Sequence, residues 1–200
     1  MRFEVPQGLV LPPALRAQLL QAYGEPQRAY HDVSHLADVL ARHLRVAREG
    51  LWRSPREVYL ALLFHDAVYV PGAHDNEEAS AQLALQAIAR WMPDADGERV
   101  AHLVRLTAQH GKLSVADVSA EEALFLDCDM AVLGGSPEAY AAYEAGIAQE
   151  YAALPPELFA AGRRRFLAGL LEREHLFLSP RFRERLEDRA RENLRRALGH

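Results

Sequence analysis

The chain has 200 residues, half of them hydrophobic and 26% charged, which suits one ordinary domain with a core of its own. A net charge of -5 excludes an extended nucleic-acid surface, which needs a basic excess. A single cysteine excludes a disulfide framework and a Cys-based zinc motif. No apolar run approaches the length of a membrane span, and Met1-Arg2-Phe3-Glu4 lacks the basic-then-apolar order of a signal peptide. A cytoplasmic location without membrane partners is the expectation.

Pro12-Pro13 opens a first helix that runs to Tyr23 and stops at Gly24 and Pro26. Leu36, Val39, Leu40 and Leu44 keep helical spacing, so His35 falls near the start of a second helix. Ser54-Pro55-Arg56-Glu57 reads as a capping box and starts a third. That helix is apolar through Leu60 and Leu63 and ends at His65-Asp66. Residues 69–73 form a loop, and Asp75 or Asn76 caps a fourth helix from Glu77 to about Trp91. A fifth spans about Glu98 to Gln109. It sets His110 on a face with Leu103, Leu106 and Thr107, whereas His102 lies on the outer side.

Ser119-Ala120-Glu121-Glu122 is a second capping box. It opens a segment, 120–133, that is apolar on nearly every side and so belongs in the interior. Gly134-Gly135 ends it. Ser136-Pro137 starts a helix to Tyr151, Pro155-Pro156 one from about Glu157 to Arg173, and Ser179-Pro180 a charged final helix. His74 and His200 read as loop and terminal residues. No stretch reads as a strand. The expected fold is all-α: a single-domain helical bundle over residues 1–200, with a core at about 30–135 and helices 137–200 packed on it.

Four polar groups stand out on or beside apolar faces: His35, the pair His65-Asp66, and an aspartate in 120–133. A buried ionised group is costly unless it is paired or bound to a cation. Imidazole and carboxylate groups projecting from neighbouring helices are a common metal site in helical proteins. The N/O set suits Mn, Ni, Co, Fe, Zn or Mg without choosing among them. Asp127 and Asp129 point roughly 200° apart on a helix, so only one of them faces such a site. The other is free to hold a histidine or cap a neighbouring helix.

In order, His35, His65-Asp66 and Asp129 resemble the H…HD…D signature of the HD-domain superfamily of metal-dependent phosphohydrolases. The local texture is similar to an uncharacterised bacterial subgroup of predicted HD phosphohydrolases. It includes Tyr30-His31 to His35, Phe64-His65-Asp66-Ala67-Val68-Tyr69, Asp75-Asn76-Glu77 and Leu126-Asp127-Cys128-Asp129. The similarity extends into Gly162-Arg163 and residues 190–194, and so covers most of the chain.

The resemblance implies an HD-type bundle in which His35, His65, Asp66 and Asp129 ligate a divalent metal ion. Asp129 is preferred to Asp127 because the superfamily's ligand aspartate follows a small residue and precedes an apolar one, as in Cys128-Asp129-Met130. The implied activity is hydrolysis of a phosphate ester or anhydride in a small phosphorylated molecule such as a nucleotide. The metal acidifies its bound water and polarises a phosphoryl oxygen. Asp66, Glu77 and His110 are the catalytic candidates. Glu77 would position the attacking water, and His110 would hold a second metal or contact phosphate. His31, Asn76 and Arg163 are the substrate-binding candidates. The alternatives are a non-catalytic metal-containing ligand-binding or interaction module and an HD-type di-iron oxygenase. Homo-oligomerisation is left open by the charged final helix.

Overall fold

Leu15, Leu19 and Tyr23 recur every four residues along the first helix, α1 (Pro13–Tyr23), and all three are buried. The same periodicity organises the rest of the computed structural model, which describes residues 5–6 and 8–199. The Met1-Arg2-Phe3-Glu4 start and His200 lie outside them. Among the described residues there are nine α-helices, two short 3-10 turns and no strand. The fold is therefore all-α. It divides into two compact units, residues 1–109 and 110–200. The division falls between Gln109 and His110, inside the stretch of about 30–135 expected to form one core.

The first unit holds α1, α2 (Val33–Arg48), α3 (Pro55–Phe64), α4 (Asn76–Trp91) and α5 (Gly97–Thr107). Every residue of α3 from Val58 to Phe64 is buried, and α3 packs against α2, α4 and α5. A helix apolar on all sides goes to the centre in this way. The expected capping box at its start does not form, because the Ser54 side chain makes no cap hydrogen bond. Pro55 at the first helical position supplies the start instead. On α2, the Asp32 carboxylate accepts from the amides of Ser34 and His35 at 2.7 and 3.1 Å. This cap fixes the helix start at Val33 and leaves His31 outside it.

The second unit holds α6 (Ala120–Met130), α7 (Pro137–Glu150), α8 (Pro156–Leu171) and α9 (Pro180–Leu198). The Ser119–Glu122 capping box is present as read. From Ala123 to Cys128 α6 is buried throughout, including the Asp127 carboxylate. A turn at Ala131–Gly134 follows and packs against α9. Glycine is required there, since a Cβ on Gly134 would lie 2.6 Å from the Cβ of Leu186. Buried Asn193 locks the contact by donating to the carbonyls of Leu133 and Gly135 at 2.9 and 3.0 Å.

No helix among the described residues is long and apolar enough to cross a membrane.

Candidate metal centre

His35 sits in the first turn of α2, and His65 and Asp66 immediately follow α3. Capping of α2 by Asp32 and packing of α2 on α3 bring the three to one point. The Nε2 atoms of His35 and His65 are 3.1 Å apart. Asp66 Oδ2 lies 3.4 Å from the first and 3.0 Å from the second. His35 and His65 are 4% and 1% exposed, while the Asp66 side chain keeps 19%. Two enclosed imidazoles thus meet a carboxylate that reaches solvent.

Those separations can be compared with what a cation requires. Ligand atoms about 2.1 Å from an ion stand about 3.0 Å apart at octahedral angles and about 3.4 Å apart at tetrahedral ones. The three distances fall in that interval, and the donor set is two imidazole nitrogens and one carboxylate oxygen. The tautomer fits as well. His65 Nδ1 is 2.8 Å from the carbonyl of Leu62. A carbonyl only accepts, so Nδ1 carries the proton and Nε2 faces the cluster with its lone pair, the arrangement typical of a ligating histidine. Among the described residues, His35, His65 and Asp66 form the one group of three or more potential ligands so gathered.

The electrostatics favour an ionised Asp66. Burial alone would raise its pKa. With the imidazoles protonated and no cation present, the positive charge of His65 and His31 and hydrogen bonds from His35 and His65 outweigh burial and hold the carboxyl well below its usual range; a cation in the cluster would take the place of those protons.

His31 adjoins the cluster. Its ring lies 5.7 Å from that of His35, 4.9 Å from Tyr30 and 4.2 Å from Tyr69. Asn76 starts α4, and both ends of its amide bond the Val70 backbone at 2.9 Å. One turn on, the buried Ser80 hydroxyl accepts from Val68 N at 3.0 Å and donates to Val68 O at 3.2 Å. These two side chains pin the segment after His65-Asp66 onto α4. Glu77 stands half-buried in the first turn of α4.

His110, Asp129 and Arg163 belong to the second unit. α5 ends at Thr107, so His110 lies in the turn beyond it rather than on the helical face with Leu103, Leu106 and Thr107. Beyond Thr107 the amides of Ala108 and Gln109 bond three residues back, to Arg105 O and Leu106 O at 3.3 and 3.0 Å, and Gly111 then turns the chain with a left-handed φ of +75°. His110 Nδ1 is 3.3 Å from Asp129 Oδ2, so these two expected site residues form a pair. Arg163 on α8 makes a two-pronged ion pair with Glu144 on α7 and lies over the Tyr143 ring, 4.9 Å from its centroid. Asp127 accepts from the amides of Leu178 and Ser179 at 2.9 and 2.7 Å and from the Ser179 hydroxyl at 2.5 Å. It holds the entry to α9, the helix-capping alternative of the two left open by the sequence.

Two residues beside the cluster were not singled out by the sequence reading. The Tyr23 hydroxyl donates to Leu63 O at 3.2 Å and accepts from Asp66 N at 3.3 Å. The Arg28 guanidinium donates to the carbonyls of His31, Asp66 and Ala67 at 3.0, 2.6 and 3.2 Å. The four-residue spacing of α1 was enough to predict that Tyr23 is buried. Arg28 sits in a polar turn, where nothing local distinguishes it from a solvated charge.

No protein-family model matches the chain, and no curated protein or solved structure matches it either.

Proposed function

We propose that the chain is a metal-dependent phosphohydrolase acting on a small phosphorylated molecule, with a nucleotide as the substrate class that the HD resemblance implies. The observation that supports this reading is the convergence of His35 Nε2, His65 Nε2 and Asp66 Oδ2 at 3.0–3.4 Å. Three such atoms without a cation leave two ring nitrogens directed at each other beside an anion, which only a shared proton or a positive ion relieves.

The reaction is attack of water oxygen on phosphorus, with cleavage of the bond to the leaving oxygen and return of one proton to it. A bound divalent ion would acidify the water and polarise a phosphoryl oxygen. The chain's own residues do the rest. His65, fixed through Leu62, presents one nitrogen without rotamer search. Asp66 supplies the negative charge that attracts the ion and, at the open edge of the cluster, leaves a route for water and substrate. His31, with its ring against Tyr69, stands where it can orient a phosphorylated ligand. Glu77 is assigned to water positioning. The resemblance adds Asp129 to the ligand set, an assignment that rests on the sequence pattern.

The test is a screen of phosphorylated metabolites with Mn, Ni, Co, Fe, Zn and Mg, comparing wild type with Asp66→Asn. Metal-dependent phosphate release by wild type alone supports the reading. Equal release by Asp66→Asn refutes it.

A further inference from the structure

Helix α3 ends at Phe64 with no glycine after it and no basic residue in its last turn. The last carbonyls of any helix need partners from elsewhere; here Phe64 O takes the Ala67 amide at 3.0 Å, and side chains serve the two before it. Leu62 O takes the His65 ring and Leu63 O takes the Tyr23 hydroxyl. Just beyond, Asp66 O and Ala67 O take Nη1 and Nη2 of Arg28. The same Nη1 also reaches His31 O. Arg28 is 7% exposed. Its charge is faced by Glu25 Oε2 at 3.0 Å and by the rings of Tyr23 and Tyr69 at 5.2 and 5.5 Å. A buried guanidinium is tolerated only when its donors are used. Its planar fork spans two neighbouring carbonyls in a way that a lysine ammonium does not.

We propose that Arg28 is a positioning residue for the metal centre. One of its nitrogens bridges the backbone four residues before His35 and the backbone of Asp66 itself. It thereby sets the separation between the two segments that carry the ligands. Tyr23 holds the same turn from the other side through Asp66 N. The role differs from general stabilisation because its consequence is the relative placement of His35 Nε2 and Asp66 Oδ2. The inference rests on the metal reading above, and its test separates the two.

Cobalt(II) alone is titrated into the full chain as wild type, Arg28→Lys and Arg28→Met, following the visible d–d bands, with circular dichroism as the check on folding. Arg28→Lys keeps the charge but loses the fork. It is expected to bind Co(II) about 10–100-fold more weakly, with shifted bands and an unchanged helical spectrum. Arg28→Met is expected to be weaker still and to recover affinity when methylguanidinium is added. Should Arg28→Met not fold, Arg28→Lys decides the matter. Wild type that binds no Co(II) would overturn the metal reading and this inference with it. Wild type that binds, with both variants keeping its affinity and bands, would overturn the role of Arg28 alone.

Discussion

His65 donates its Nδ1 proton to the carbonyl of Leu62, 2.8 Å away and three residues back, and this bond decides which ring nitrogen faces His35. The helix that buries the ring also sets its tautomer. His65→Gln removes the aimed lone pair, and loss of stoichiometric Mn(II) or Zn(II) binding is expected. Calorimetric titration measures it. Undiminished affinity in this variant would mean that His65 is not a ligand.

Ser80 and Asn76 hold the chain that leaves the cluster. Ser80 is fully buried and uses its hydroxyl twice on Val68. Ser80→Ala strands both backbone groups and is expected to cost about 1–3 kcal/mol in urea denaturation. Asn76→Ala releases Val70 at a more exposed place, with a loss nearer ~1 kcal/mol. If Asn76 serves only to pin this segment, its variant shows the stability loss without a change in KM. A raised KM at unchanged stability would support its assignment to substrate binding.

His43 makes stability depend on pH. Its ring is fully buried on α2, stacked on Trp52, with Nε2 donating to Pro55 O at 2.9 Å. Nδ1 is enclosed with no hydrogen-bond partner, so a proton added there would have nothing to bond. Burial pushes the imidazole down to about 4, only partly offset by the Pro55 bond. The unfolded chain takes up this proton near 6.5 and the folded chain not until about 4. Stability is therefore complete above about 6.5, falls as the pH drops through this window, and levels off below about 4. The expected loss from this group is about 3 kcal/mol. Denaturation of wild type and His43→Leu at several pH values checks it. Parallel slopes in the two proteins would assign the acid sensitivity elsewhere.

Asp127 and Asp129 differ in what they hold. Three donors at the entry to α9 converge on Asp127. Asp127→Ala is expected to destabilise by about 2–4 kcal/mol, since it strands buried amides and a hydroxyl. The Asp129 side chain is 18% exposed and faces His110. Asp129→Ala should change stability by no more than about 1 kcal/mol, so a fall in its metal content would be readable as ligand loss. The reverse pattern, with Asp127→Ala stable and metal-free, would exchange the two assignments.

Helix starts with their own chemistry were legible in the sequence. Ser119–Glu122, Ser136-Pro137 and Ser179-Pro180 all open helices at the expected places. The pair His65-Asp66 was legible too, because two polar groups that end a buried apolar run need a partner or a cation. His43 carries a local signal as well: it follows Val39 by four and Leu40 by three, on the same buried face. Arg28 and Ser80 were not legible in their roles. Arg28 acts on carbonyls about forty residues away, and Ser80 bonds a backbone segment that folds back on it. Neither contact leaves a local pattern. His110 lies off the expected helical face for a local reason, since α5 ends at Thr107.

The most direct measurement is the metal content of the purified chain, wild type beside Asp66→Ala, by elemental analysis. The expected result is about one divalent transition metal per wild-type chain, consistent with an N/O ligand set, and loss of it in Asp66→Ala at retained helicity. A wild-type chain that carries no such metal, and whose melting temperature is unmoved by added Mn, Ni, Co, Fe, Zn or Mg, would contradict the assignment of His35, His65 and Asp66 as a metal centre.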